Sequence, residues 1–209
     1  MELTRRSSKV LRETVMDETN NWLSYKNYRQ LIDDLLKEGK TTGANQSEAL
    51  LNYAKLNVAR MNRLDKTIEL DAELENVVAQ ITSPQVWLVI TEGWCGDASQ
   101  IVPLFPKLSE LNSNIEVRFL LRDEHLSLMD EYLLDGKSRS IPKLVVANGN
   151  GEELFNWGPR PAAAQQLFNH LKANSASYDT IKEEIHRWYS KDKTQSVQAE
   201  LTQLLMENL

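Results

Sequence analysis

One stretch, residues 85–103, places the strongest constraint on how this chain can fold. It opens with an apolar, β-branched run from Val86 to Thr91, which is long enough for one buried strand. A Glu-Gly pair ends the run, and the pentapeptide Trp-Cys-Gly-Asp-Ala follows at positions 94–98. Apolar residues at helical spacing come next, as far as Leu108. The pattern predicts a strand, a tight turn and a helix, with Cys95 at the start of the helix.

Cys95 is the candidate reactive group of this turn. Unpaired N–H groups and the positive end of the helix dipole stabilise an anion, so they lower the pKa of a thiol placed there. We therefore predict a partly exposed thiol that is present partly as thiolate, with a small buried residue as the alternative. Asp97 either complements the helix dipole or opposes ionisation of the thiol by like-charge repulsion. Glu92 is interpreted as a solvated turn residue rather than a general base.

Composition and charge argue against several classes of function and location. The net charge of −6 offers no basic stripe that would neutralise phosphates, which argues against a nucleic-acid partner. A single cysteine excludes a disulfide within the chain and suits a reducing compartment. Residues 1–21 lack the apolar core of a signal peptide, and no window has the length of a membrane span. We expect a cytoplasmic protein without membrane association. The three histidines are widely spaced, so no metal or other cofactor is predicted.

Helical periodicity flanks the central segment on both sides. Residues 18–38 and a second segment ending near residue 64 predict an N-terminal helical hairpin, with Asn45 or Ser47 capping its second helix. A short first strand is predicted from Thr67 to Leu70, and Asp71 then caps a further helix. The remaining predicted elements are a strand at 115–121, a helix at 124–134, a strand hairpin, a closing helix at 161–172 and two helices after residue 173.

This element order predicts an α/β fold, a three-layer sandwich with added N-terminal and C-terminal helices. We divide the chain into an N-terminal helical extension at 1–65, an α/β domain at 66–173 and a C-terminal helical extension at 174–209. The sequence leaves open whether the apolar faces of the outer helices close on the core or on a second copy of the chain.

The central motifs resemble those of the thioredoxin family. Trp-Cys-Gly at 94–96 is similar to the start of the family's Trp-Cys-Gly-Pro-Cys site, and Pro103 lies where the family's active-site helix is kinked. Ser140-Ile141-Pro142 resembles the family's cis-proline loop, and Gly158 resembles the glycine before its last helix. The resemblance covers roughly residues 67–173. The wider pattern is similar to a bacterial branch of thioredoxin-like proteins with Trp-Cys-Gly-Asp-Ala at this site.

Two departures from the family pattern concern its redox cycle. The resolving cysteine would fall at position 98, where this chain has Ala98, and the buried acid of the family is replaced by Val89. The resemblance therefore implies that the two-cysteine cycle cannot run within one chain. It leaves a monothiol thiol–disulfide protein, in which Cys95 forms a mixed disulfide that an external thiol releases. The alternative is a non-catalytic thioredoxin-fold module that binds a peptide or protein.

Several further residues are predicted to surround Cys95, which is the catalytic candidate. From the resemblance, the substrate-binding set is Trp94, Gly96, Asp97, Ile141 and Pro142, with a cis bond before the proline. Arg139 and Arg160 are candidate partners for an anion or for the thiolate, or else they form salt bridges that hold the loops. Arg122 is expected to pair locally. The predicted partner is a protein or small-molecule thiol or disulfide.

Overall fold

The structure is a computed structural model that describes residues 8–17, 19 and 21–209. Residues 1–7, 18 and 20, which belong to the predicted N-terminal extension, lie outside the described residues. The helices are α1 (Lys9–Val15), α2 (Tyr25–Lys37), α3 (Glu48–Thr67), α4 (Ala72–Ala79), α5 (Ala98–Ile101), α6 (Leu104–Leu111), α7 (Leu126–Met129), α8 (Ala162–Ala173), α9 (Tyr178–Asp192) and α10 (Gln195–Met206). The strands are β1 (Gln85–Thr91), β2 (Ile115–Leu121), β3 (Lys143–Asn148) and β4 (Glu153–Trp157).

The four strands form one sheet in the order β2-β1-β3-β4. β1 runs parallel to β2 and antiparallel to β3, and β4 is antiparallel to β3. All seven residues of β1 are buried, because this strand has a neighbour on each side and helices over both faces of the sheet. Trp87 lies in its middle without exposure to solvent. The predicted α/β class, a sheet flanked by helices with further helices at both ends, is confirmed.

The predicted first strand from Thr67 to Leu70 is wrong. Thr67 is the last residue of α3, and the next three residues have no regular structure. The backbone there is bonded by a side chain rather than by a neighbouring strand. Gln198 of α10 donates to the carbonyl of Glu69 at 3.0 Å and accepts the N–H of Asp71 at 2.7 Å. These bonds satisfy groups that a strand would otherwise present to a sheet.

Short polar side chains fix the starts of several helices. Ser24, Ser47 and Asp71 each accept a backbone N–H from the first turn of α2, α3 and α4. The predicted cap at Asp71 is confirmed, and Ser47 rather than Asn45 caps α3. Because Ser24 begins α2, that helix starts later than the predicted residue 18. The helix predicted at 124–134 is shorter, with α7 followed by a 3₁₀ turn at Asp130–Tyr132.

The outer helices pack on the sheet and its own helices. α2 lies against β2, where the ring of Tyr28 stacks on Phe119 with centroids 5.2 Å apart. α3 packs against α5, α9 against α8, and α10 against α4. Their apolar stripes are buried, as shown by Ile32, Met61 and Leu201, and burial of each such side chain contributes about 1.5–3 kcal/mol. The packing brings α3 and α9 to the end of the sheet that carries residues 92–97, the turn that contains Cys95 and is called the cysteine turn.

Candidate functional site

The cysteine turn lies between β1 and α5, against the loop that precedes β3. The thiol of Cys95 donates to the backbone carbonyl of Ile141, with Sγ and O 3.2 Å apart. The same sulfur accepts the N–H of Ala98 at 3.4 Å. The peptide bond between Ile141 and Pro142 is cis. The fold thus brings together two segments that are 46 residues apart in the chain.

The thiol of Cys95 is buried, and its pKa is raised. Its residue is 7% exposed, and burial raises the pKa of the thiol to about 12, with a further contribution from the carboxylate of Asp97. The N–H of Ala98 and the cation of Arg160 act in the opposite direction but are weaker. The predicted lowering of this pKa and the predicted partial exposure are therefore wrong. The helix that follows is only four residues long, so its dipole cannot offset the loss of hydration.

Asp97 is the centre of a buried polar cluster. Its carboxylate accepts two hydrogen bonds from Arg160, at 3.0 and 2.6 Å, and a third from the hydroxyl of Tyr189 at 2.9 Å. The side chains of Asp97 and Arg160 are only 12% and 14% exposed, and the guanidinium lies 4.4 Å from the centroid of Phe168. Arg160 is thus engaged by a carboxylate, as the salt-bridge alternative predicts. The cluster ties the cysteine turn to α9.

Arg139 and Arg122 lie on the more exposed side of the site. Arg139 makes a bidentate pair with Asp130 at 2.6 and 2.9 Å, so it too forms a salt bridge. Arg122 pairs with Asp123 at 2.8 Å, as expected for a local partner, and its guanidinium lies 4.8 Å from the ring centroid of Trp94. These contacts hold the two loops beside the thiol.

Glu92 is fully buried, so its interpretation as a solvated turn residue is wrong. Its Oε1 accepts the backbone N–H of Asp123 at 3.0 Å, whereas Oε2 has no hydrogen-bond partner of ordinary geometry among the described residues. Burial raises the pKa of this carboxyl group. The cover comes from the linker before α3, where Thr42 is also buried and its hydroxyl accepts the N–H of Gly93 at 2.8 Å.

Two helices outside the α/β core supply site residues that sequence reasoning missed. Asn57 of α3 is fully buried, donates to the carbonyl of Gly93 at 3.0 Å and accepts from Arg60 at 2.8 Å. His186 of α9 lies over Gly96, with its Nε2 only 2.9 Å from where a Cβ on that glycine would be. Asn57 had a signal in the sequence, because it is a polar residue on the apolar face of a helix. His186 had none.

A cavity of about 860 Å³ lies beside the thiol, between the cysteine turn, the loop at 138–141, α3 and α9. The predicted site residues that line it are Trp94, Cys95, Gly96, Asp97, Arg139, Ile141 and Arg160. Pro142 is not part of the lining. The wall carries six arginine or lysine side chains and three aspartate or glutamate side chains, in a chain whose net charge is −6. The cavity is thus positive relative to the rest of the molecule.

The remaining features of the described chain do not add a second candidate centre. Within residues 8–17, 19 and 21–209, no three His, Cys, Asp or Glu side chains are grouped so that they could hold a metal ion. In the same residues, none of the helices combines the length and the apolar character that spanning a bilayer requires. The cavity at Cys95 is therefore the candidate functional site of the described residues.

One family model and two solved structures are similar to this chain. The family model described as thioredoxin matches residues 43–178. A crystal structure of an HIV epitope scaffold aligns over 85% of this chain and 98% of its own, with a TM-score of 0.55 and 14% identity. A crystal structure of a Pseudomonas aeruginosa protein of unknown function aligns over 80% and 96%, with a TM-score of 0.49 and 16% identity. No curated protein matches the chain.

Proposed function

Because the chain belongs to the thioredoxin family, we propose that it is a thioredoxin-fold binding module whose ligand occupies the cavity beside Cys95. The observation that carries this proposal is the state of the thiol. Cys95 is 7% exposed, and burial raises its pKa to about 12. The thiolate is the nucleophile in disulfide chemistry, and a group with a pKa of about 12 is ionised in roughly one molecule in 100,000 at pH 7. The thiol therefore serves as part of the cavity wall.

The dimensions of the cavity favour a small molecule over an extended peptide. Its volume of about 860 Å³ falls within the range of small-molecule sites, which is about 300–1,000 Å³. An extended peptide would pair with the backbone beside Pro142. Ile141 is only 5% exposed, and its carbonyl already accepts the thiol of Cys95. The backbone there is thus largely covered and already engaged, whereas a compact ligand beside α9 would not need to pair with it.

The proposal is tested by the pH dependence of alkylation. We expect the rate of Cys95 modification by iodoacetamide to rise only well above pH 8.5, the ordinary pKa of free cysteine. The chain unfolded in guanidinium is the matched control, because there the thiol is hydrated and its rate should rise near pH 8.5. A thiolate pKa below 8.5 in the folded chain, together with catalytic turnover of insulin disulfides, would overturn the binding module.

A second candidate is monothiol thiol–disulfide chemistry, favoured by the position of Cys95 on the cavity wall with the Ala98 N–H directed at its sulfur. The thiol would lose its proton to solvent, and the thiolate would attack one sulfur of a disulfide substrate, whose other sulfur leaves as thiolate. An external thiol, as thiolate, would then attack the sulfur bonded to Cys95 and release the Cys95 thiolate, which regains a proton. This route requires Cys95 to become hydrated, for example by movement of α9.

The second candidate makes a separate prediction for Ala98→Cys. A thiol at position 98, whose backbone N–H lies 3.4 Å from the sulfur of Cys95, would resolve the mixed disulfide within the chain. If Cys95 is a competent nucleophile, insulin reduction with dithiothreitol should rise in this variant above that of the parent chain. Absence of any gain, in a variant shown by circular dichroism to be folded, leaves the binding module as the function.

A further inference from the structure

Arg60 differs from the other cations of the cavity wall. Five of the six wall cations are paired with a carboxylate: Arg122 with Asp123, Arg139 with Asp130, Arg160 with Asp97, Lys182 with Asp179 and Arg187 with Glu184. Arg60 has no such partner among the described residues. Its one hydrogen bond there is from a terminal nitrogen to the amide oxygen of Asn57, at 2.8 Å. Its remaining N–H groups are therefore available to a ligand, since the guanidinium carries five donors.

The position of Arg60 is fixed by a buried residue. Asn57 is 0% exposed and lies one turn earlier on α3. Its amide nitrogen donates to the carbonyl of Gly93 at 3.0 Å, so its oxygen is the atom that accepts from Arg60. One side chain thus connects the guanidinium to the cysteine turn. Burial and the neighbouring cation of Arg63 lower the pKa of Arg60, and the carboxylate of Asp97, which is already paired with Arg160, offsets this only in part.

His186 supplies a second donor to the same place. Its Nδ1 lies 3.3 Å from the amide nitrogen of Gln100, whose oxygen is 3.4 Å from a guanidinium nitrogen of Arg63. The amide nitrogen of Gln100 donates to Nδ1, so the ring proton of neutral His186 is on Nε2. Burial lowers the pKa of His186 to about 4, which keeps the ring neutral at pH 7. Its Nε2–H is therefore a donor with a fixed position.

The two donors converge above Gly96. A Cβ placed on this glycine would lie 2.9 Å from Nε2 of His186 and 3.9 Å from a terminal nitrogen of Arg60. Both groups line the cavity and offer N–H bonds, and Arg60 carries a positive charge without a salt-bridge partner among the described residues. We propose that Arg60 and His186 form an anion-binding subsite of the cavity, which takes the carboxylate or phosphate group of a small ligand. This inference rests on the proposed function, because it names the class of ligand that the cavity binds.

The subsite is tested by nuclear magnetic resonance titration of the ¹⁵N-labelled Cys95→Ser chain, which cannot perform thiol chemistry. The probes are succinate, inorganic phosphate and the neutral, isosteric succinamide. We expect saturable shifts of the amides near Gly96 with at least one anion and none with succinamide. Saturation by succinate or by phosphate identifies which anionic group is bound. Arg60→Gln should weaken that binding by about tenfold or more, the usual effect of losing a charged hydrogen bond.

The matched control is Lys55→Gln, which removes the same charge from an exposed position of α3 outside the cavity wall. It should leave the anion affinity within about twofold, since exposed charges act weakly on one another. His186→Phe, which keeps a ring but removes the donor, should weaken binding as well. The subsite is overturned if succinate and succinamide shift the same amides equally, or if Arg139→Gln abolishes anion binding while Arg60→Gln does not. Either result would leave the alkylation test of the binding module unaffected.

Discussion

Two of the three arginine–aspartate pairs whose arginine lines the cavity, Arg160–Asp97 and Arg139–Asp130, differ in burial rather than in geometry. Arg160 and Arg139 each make two hydrogen bonds to one carboxylate, at distances between 2.6 and 3.0 Å. The side chains of the Arg160–Asp97 pair are 14% and 12% exposed, whereas those of Arg139–Asp130 are both 46% exposed. Water screens the charges of the Arg139–Asp130 pair. The Arg160–Asp97 pair is shielded from water, so each of its charges must be neutralised by the other. The same hydrogen-bond geometry should therefore contribute strongly to stability at Arg160–Asp97 and weakly at Arg139–Asp130.

The two pairs also join different parts of the chain. Asp130 and Arg139 belong to one loop region, so their pair closes a short segment. Asp97 is bonded both to Arg160 and to Tyr189 of α9, so the buried pair holds a distant helix on the cysteine turn. The loss of Asp97 should therefore disturb the cavity as a whole, while the loss of Asp130 should be local.

The largest expected effect separates the two pairs directly. Asp97→Ala leaves the guanidinium of Arg160 buried without a counter-ion and should lower the free energy of unfolding by about 3–5 kcal/mol. Asp130→Ala should lower it by much less, because the pair is exposed and screened by water. Denaturant unfolding of both variants gives the difference. Equal losses would show that burial does not distinguish the pairs.

A double variant sharpens this result. Asp97→Leu combined with Arg160→Met removes both charges and fills similar volume, so it should be less destabilised than Asp97→Ala. If the double variant is the less stable of the two, the pair itself rather than the uncompensated charge accounts for the loss.

Glu92 tests whether burial acts in the same way on a carboxylate that has no salt-bridge partner among the described residues. Burial raises its pKa above the ordinary value of 4.5, so the folded chain holds this proton more tightly than the unfolded chain. Its contribution to stability is therefore lost as the pH rises from about 4.5 through the raised pKa. Glu92→Gln should be more stable than the parent chain at neutral pH, by about 1–3 kcal/mol.

The measurement for Glu92 is the unfolding free energy of both chains between pH 4 and pH 8. The advantage of the glutamine variant should grow with pH, since the parent chain alone must ionise a buried group. A gap between the two chains that is constant, or that narrows as the pH rises, would contradict a raised pKa.

Gly96→Ala tests the contact between α9 and the cysteine turn by adding a methyl group, without changing any charge. The added Cβ would lie 2.9 Å from Nε2 of His186, so the ring must move, and we expect a loss of about 1–2 kcal/mol. Gly149→Ala is the matched control, because the added Cβ would lie 3.9 Å from its nearest neighbour, which is an ordinary van der Waals distance. Denaturant unfolding compares the two. A Gly96→Ala loss no larger than that of the control would mean that α9 is not seated on the turn.

The smallest effect concerns salt. Arg139→Ala should lower the free energy of unfolding slightly at low ionic strength and hardly at all in 1 M sodium chloride, where the Debye length is about 3 Å. Unfolding at the two salt concentrations measures the change. A loss that persists in high salt would indicate that the exposed pair is shielded from solvent after all.

The sequence predicts local structure better than it predicts the burial and ionisation of the titratable side chains. The buried run before Thr91, the cap at Asp71 and the approach of Cys95 to Ile141 follow from periodicity, capping chemistry and family motifs. The pKa of Cys95 does not follow from them, because it depends on hydration. The thiol is bonded to Ile141, 46 residues away in the chain, and Cys95 belongs to a core assembled from distant segments, so its burial is visible only once the fold is complete.

The same reasoning explains the errors at Glu92 and at residues 67–70. A Glu-Gly pair after a strand usually indicates a solvated turn, but here the linker containing Thr42 covers the carboxyl group. Residues 68–70 have the composition of a strand, yet a glutamine from α10 takes their backbone hydrogen bonds. In both cases the residue that determines the outcome, Thr42 or Gln198, lies far away in the chain. The local sequence pattern around Glu92 or residues 67–70 therefore could not reveal it.

The bond between Gln198 and the backbone of Asp71 offers a way to observe the C-terminal helix in solution. The amide hydrogen of Asp71 is held by a side chain that is only 2% exposed, and not by any neighbouring turn of helix. We expect it to exchange with deuterium when the hydrogen bond to Gln198 opens, as it does when α10 separates from the start of α4. The exchange rate of this one hydrogen therefore reports the opening of the contact between α10 and α4.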